Sequence, residues 1–138
     1  MRANRSIPDA IVIPVLTVSD VRGAVAWLGA AFGFNERLRI GAGHRSQLDV
    51  PGGGAVVLAE VRPDSRVPAE GASHSVMVRV EDAAAHCERA RAAGARIVME
   101  PTDFEYGERQ YAAVDPFGHR WTFSETLADI DPAEWMKD

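Results

Sequence analysis

Four side chains that could grip a flat organic molecule crowd into one stretch of the chain: Tyr106, Arg109, Tyr111 and Trp121, with the hydroxyl of Thr122 beside them. An earlier stretch adds His44 and Arg45. An aromatic ring stacks on a planar ligand, and a Tyr or Arg then fixes its orientation by hydrogen bonds. A few polar groups among apolar walls are the usual make-up of a small-molecule site. Each residue also has a plain structural alternative. Trp121 suits a core, Arg109 suits an ion pair with Glu105 or Glu108, and Tyr111 suits a seam between two copies.

Other chemistries find little support. No Ser-His-Asp order, Cys-His pair or paired-acid signature stands out. Gly52-Gly53-Gly54 reads as a hairpin turn and not a phosphate loop, because no helix pattern follows it. Cys87 is the single cysteine, so no internal disulfide forms, and its helical setting reads as inert packing. His119 follows a turn glycine and reads as part of that turn. His86 falls on an expected exposed helix face, in solvent. Asp20, Asp82 and Asp115 read as helix caps and a turn residue.

The elements that must position the candidates follow from periodicity. Gln110 to Val114 is β-rich, Asp115-Pro116-Phe117-Gly118 has turn chemistry, and Arg120 to Ser124 alternates as a second strand. In that second strand Trp121 and Phe123 share one face, which packs. Arg120, Thr122 and Ser124 share the other, which is left to line something.

The plan occurs twice. Gln47 to Glu60 also sets two apolar strands around a Pro-Gly turn, and Pro51 falls on Pro116 at a period of about 65 residues. Upstream of each hairpin come a strand, a capped Ala-rich helix pattern and another strand. In the first half the strand spans Ile11 to Val18, the helix follows Ser19-Asp20 and stops at Gly33, and Glu36 to Ile40 is the next strand. In the second half a strand spans Ser73 to Val80, a helix runs from Glu81-Asp82 through Ala93, and Ala95 to Met99 is a strand. Pro101 to Gly107 reads as a loop. Pro14 marks an edge strand. Asp131-Pro132 opens a short terminal helix, with Trp135 as its anchor.

Composition sets the bounds. The chain has 138 residues, 46% of them hydrophobic, which suits one globular domain or two small modules sharing a core. A net charge of −5 disfavours nucleic acid as a partner. Every apolar run is broken by charge or Pro before it reaches membrane-spanning length, and no signal core follows the basic N-terminus. A cytoplasmic protein is the expectation.

These features resemble the glyoxalase/bleomycin-resistance/dioxygenase superfamily, the vicinal-oxygen-chelate fold. The likeness rests on Pro14-Val-Leu-Thr-Val-Ser-Asp, Ala31-Phe-Gly-Phe, Tyr106-Gly-Glu-Arg-Gln-Tyr and Asp115-Pro-Phe-Gly-His-Arg-Trp-Thr-Phe, and covers residues 9 to 126. It implies an α+β fold in which two βαβββ modules form a U-shaped mixed sheet around a cavity, usually in a homodimer. The chain is then one domain over 1–138, with module one at about 9–61, a linker at 62–73, module two at about 74–126 and a terminal helix at 131–136.

The family's metalloenzymes place ligands at four positions, which fall here on Ile13, Val57, Ser75 and Thr122. None is a His, Gln or carboxylate, so no metal and no cofactor are expected. A one-residue shift would turn the neighbouring His74 inward. Glu60 and Glu125 project from the opposite face. The resemblance then implies a protein that binds a small organic ligand, with resistance by sequestration as its concrete form. The alternatives are a divalent-metal-dependent lyase, isomerase or dioxygenase, and a regulatory dimer whose cavity is closed by Val57 and Ile13.

Overall fold

The computed structural model describes residues 2–62 and 74–135. The chain forms two compact units, Met1–Ala69 and Glu70–Asp138. Apart from Arg62, the stretch expected to link them lies outside the described residues, as does the last residue expected in the terminal helix.

The first unit holds β1 (Val15–Val18), α1 (Val21–Phe32), β2 (Asn35–Ile40), β3 (Arg45–Asp49) and β4 (Ala55–Glu60). The Asp20 carboxylate accepts a hydrogen bond from the Gly23 backbone N–H and opens α1, as its position before the apolar stripe requires. Val21, Ala24, Leu28, Ala31 and Phe32 are buried at helical spacing along one side of α1. Gly33 stops the helix at φ 77°, a left-handed conformation that a side chain would oppose. The strands run in the order β1-β4-β3-β2, with β1 parallel to β4 and the remaining neighbours antiparallel. Leu16, Val18, Leu48, Val56 and Leu58 make the buried apolar side of the sheet. Truncating a fully enclosed side chain such as Leu58 to Ala costs about 3 kcal/mol.

The second unit repeats the plan with β5 (Val76–Arg79), α2 (Ala83–Ala92), β6 (Arg96–Asp103), β7 (Glu108–Val114), β8 (Arg120–Thr126) and α3 (Pro132–Trp135). Its order is β5-β8-β7-β6, again with one parallel pair, β5 on β8. This is the α+β architecture of two βαβββ units, each a four-stranded mixed sheet. Asp82 caps α2 through the Ala85 N–H, and Glu125 reaches across from β8 to accept from the Ala83 N–H. Two carboxylates thus meet the positive end of one helix. Ala83, Cys87 and Ala90 are the buried stripe of α2.

Several boundaries differ from the sequence reading. β1 begins at Val15, and the residues from Ile11 to Pro14 lie outside it, although the Pro14 carbonyl still accepts from the Val57 N–H. β6 continues through Pro101 to Asp103, where a loop is expected from sequence. Pro101 is tolerated because β6 is an edge strand, and the pairing register slips between Met99 and Thr102. No described helix is long and apolar enough to cross a membrane.

Candidate functional site on the open face of the second sheet

Cross-strand register sorts the residues of the second sheet. Tyr111 stands opposite Phe123, Ala113 opposite Trp121 and Arg109 opposite Glu125, so these share the side that carries α2. Glu108, Gln110 and Ala112 on β7 share the other side with Thr122, Ser124 and Thr126 on β8 and Met77 on β5. This second side is an open face only in that α2 does not cover it, for Gln110, Ala112 and Ser124 on it are buried.

The α2 side is a packed core. Trp121, Tyr111 and Phe123 are fully buried, with Tyr111 and Phe123 stacked at 5.1 Å between ring centres. The indole Nε1–H of Trp121 donates to Asp115 Oδ2 at 2.9 Å, while Asp115 Oδ1 accepts from the backbone N–H groups of Phe117 and His119. The Tyr111 hydroxyl meets His86 Nδ1, and the His86 ring lies 4.2 Å from that of Phe123. Burial pushes the Tyr111 phenol well above the ordinary tyrosine range. His86 is therefore not a solvated helix residue, as its position in the Ala-rich pattern implies; it flanks the buried stripe and leans onto the sheet. Burial also raises the Cys87 thiol, which keeps it in its unreactive form.

Two of the seven candidate residues belong to the first unit and five to the second. His44 is exposed in the turn before β3, and Arg45 is half-buried on β3 of the first unit. Tyr111 and Trp121 are enclosed beneath α2, with no exposed surface to offer. Arg109 makes a two-pronged bond to Asp103 on the adjacent strand, at 2.6 and 3.0 Å, rather than to Glu105 or Glu108. That contact holds the Asp103 carboxyl below its ordinary range. Thr122 is half-buried on the open face, between Met77 and Ala112. Tyr106 is half-buried in the turn before β7, stacked on Phe104 at 5.3 Å and touched by Trp135.

The open face carries a chain of hydrogen bonds. Tyr106 Oη–H donates to Gln110 Oε1 at 3.3 Å, Gln110 Nε2–H donates to Ser124 Oγ at 3.0 Å, and Ser124 Oγ–H donates to Glu108 Oε1 at 2.7 Å. Gln110 and Ser124 are buried, and Glu108 is half-buried. Tyr106 is thus joined to Ser124, which sequence places on the free face of its strand, and to Gln110 and Glu108, which sequence does not single out for a site. Alternation offered the signal: Ser124 has the parity of Thr122, and Glu108 and Gln110 have the parity opposite to Tyr111.

Gly107 fixes the turn that presents this chain. At φ 87°, a side chain there would meet the Ala128 carbonyl at 2.5 Å. The Gly107 carbonyl accepts from the N–H groups of Leu127 and Ala128, which draws the C-terminal segment and Trp135 over Tyr106.

In the first unit the corresponding face holds Gln47 and Val57, side by side on β3 and β4. Gln47 Nε2–H donates to the Ser6 carbonyl at 2.8 Å, and Arg37 bonds both Gln47 Oε1 and the Arg5 carbonyl. The N-terminal segment is thereby held on that face. Of the four positions at which the resemblance implies metal ligands, Val57 and Thr122 lie on the sides away from the helices, while Ile13 and Ser75 precede β1 and β5. His74 precedes β5 and is exposed. Among the described residues, no three His, Cys, Asp or Glu side chains gather as a metal site would need.

Comparison with known proteins agrees with this architecture. No curated protein matches the chain. The crystal structure of TioX from Micromonospora sp. ML1 is 35% identical, with a TM-score of 0.71 over 86% of this chain and 99% of that one. A glyoxalase/bleomycin resistance protein/dioxygenase from Nocardioides is 22% identical, with a TM-score of 0.63 over 89% and 87%. The fosfomycin resistance protein FosX from Listeria monocytogenes is 16% identical, with a TM-score of 0.68 over 86% and 92%, a likeness of fold. The family model for the glyoxalase/bleomycin resistance protein/dioxygenase superfamily matches residues 10–123. With that match, and two βαβββ units behind it, the chain belongs to the glyoxalase/bleomycin resistance protein/dioxygenase superfamily.

Proposed function

We propose that the protein is a cytoplasmic small-molecule-binding member of this superfamily that acts by sequestering an organic ligand, without metal chemistry. The observation that carries this reading is the open face of the second sheet, where Tyr106, Gln110, Ser124 and Glu108 form a connected polar row beside Thr122, Met77 and the Phe104–Tyr106 ring pair. Such a row orients a ligand by hydrogen bonds while the rings and Met77 cover its apolar part. FosX, which shares the fold, is named for resistance to an antibiotic.

A divalent ion does not fit the residues present. Ile13 and Val57 have no donor atom, and the Ser75 and Thr122 hydroxyls are poor ligands without a carboxylate or imidazole beside them. A homodimer belongs to the same proposal. Val15 on β1, an edge strand of its sheet, is 53% exposed, and its burial favours association.

The test is equilibrium dialysis of the purified protein, before and after chelator, against a panel of planar metabolites and antibiotics. Saturable, chelator-insensitive binding without turnover is expected. Turnover that chelator abolishes would overturn the reading in favour of a metal-dependent lyase, isomerase or dioxygenase.

A further inference from the structure

Resting on that reading of the open face, we infer that the site selects a ligand bearing a cationic amine, whose partner is the Glu108 carboxylate. The hydrogen-bond chain has a direction, and the direction is set by its end. A carboxylate only accepts, so Ser124 must spend its proton on Glu108 Oε1. Ser124 Oγ is then free only to accept, which it does from Gln110 Nε2. The Gln110 amide is thereby turned with Oε1 towards Tyr106, whose hydroxyl proton is used in turn. Both hydroxyl donors of the chain are consumed internally. What the row ends on is negative charge.

Among the described residues that charge has no ion-pair partner. Glu108 Oε2 has no partner among the described residues. Arg79, the nearby cation on β5, is turned to Thr126 Oγ1 at 3.1 Å and makes no ion pair with Glu108.

The first unit holds a hydroxyl-braced carboxylate too, on the α1 side of its sheet and opposite to the face of Gln47. There Ser46 Oγ–H donates to Glu36 Oε2 at 2.6 Å in the same manner, but Arg22 closes on both oxygens of that carboxylate at 2.5 and 2.9 Å. One hydroxyl-braced carboxylate is ion-paired, and the other is half-buried without an ion pair among the described residues. A carboxylate partly withdrawn from water binds a cation more strongly than an exposed one, because the competing hydration has already been reduced. The ring pair of Phe104 and Tyr106 joins the same row through the Tyr106 hydroxyl and suits a ligand whose ammonium is carried on an aromatic body.

The experiment uses three probes with a common ring system: naphthylmethylammonium, naphthylmethanol and naphthoate. Each is titrated into isotope-labelled protein while the Gln110 side-chain amide and the Gly107 backbone amide are followed by NMR. The ammonium is expected to perturb both signals and to bind about tenfold more tightly than the alcohol, with the carboxylate weakest. Glu108→Gln keeps an acceptor for Ser124 and is expected to erase the preference, whereas Glu36→Gln leaves it intact. Equal binding of the three probes, or a preference that survives in Glu108→Gln, overturns the assignment. Binding of the alcohol or carboxylate alone overturns the cation and leaves the small-molecule reading standing. Silence at both signals with all three probes overturns both.

Discussion

Asp115 and Trp121 are tied across their hairpin: the indole N–H donates to one oxygen of a buried carboxylate whose other oxygen binds two backbone N–H groups of the turn. The turn, the β8 strand and the largest core side chain are therefore held by a single group. Every part of the open face that lies on β8 takes its register from this knot.

Asp115→Ala strands the three N–H donors that the carboxylate serves. Buried donors without partners are costly, so a loss of about 3 kcal/mol is expected, measured by urea denaturation. Asp115→Asn keeps an acceptor oxygen and is expected to lose about half as much. Near-ultraviolet circular dichroism of Trp121 reports the same disturbance. A loss under about 0.5 kcal/mol for the alanine variant contradicts the role given to Asp115.

Tyr111 gives a prediction at alkaline pH. Its phenol is raised by burial, so the folded state holds the proton more tightly than the unfolded state. The resulting stability is complete below the unfolded value of about 10 and declines as the pH climbs beyond it. Absorbance titration of the protein against Tyr111→Phe isolates this group. The Tyr111 phenolate signal is expected only together with unfolding, and its appearance near pH 10 in the folded protein refutes the enclosure. Removing the hydroxyl also breaks the bond to His86, at a cost of about 1 kcal/mol at neutral pH.

Glu36 gives the opposite sign at acid pH. Arg22 foremost, helped by Ser46, lowers its carboxyl from 4.5 to about 2. The folded state therefore prefers the ionised form, and stability present above the unfolded value fades as the pH falls from 4.5 towards about 2. Because the pair is solvent-accessible, the contribution is about 1 kcal/mol or less and shrinks with added salt. Glu36→Gln is expected to flatten this part of the stability curve. An unchanged slope contradicts the pairing.

Much of the fold was legible in the residues. Asp20 and Asp82 announced their helices because an N-cap is a local interaction, and Gly33 and Gly94 closed them for the same reason. The alternation of Trp121 and Phe123 against Thr122 and Ser124 also held, since a strand's two faces follow from its own period. What alternation within one strand does not show is which face of its neighbour it meets. Tyr111 and Arg109 fall on the α2 side through the pairing of Tyr111 with Phe123, and that pairing is set by the length of the Asp115 turn. Arg109 found Asp103 because β6 ran on past Pro101, which an edge strand permits. His86 was hidden because α2 is built from alanines, whose small side chains leave the apolar stripe indistinct.

The single parallel pair in each sheet bears on how the protein is made. β5 is the first strand of the second unit to leave the ribosome, yet its sole strand partner within that sheet is β8, the last. Until residues up to Thr126 have emerged, β5 and the apolar side of α2 have nothing to close against, and the unit cannot complete its core during synthesis. The same holds for β1 and β4 in the first unit, which can finish while the second is still being translated. Nascent chains halted before β8 therefore carry one finished half and one exposed, aggregation-prone half.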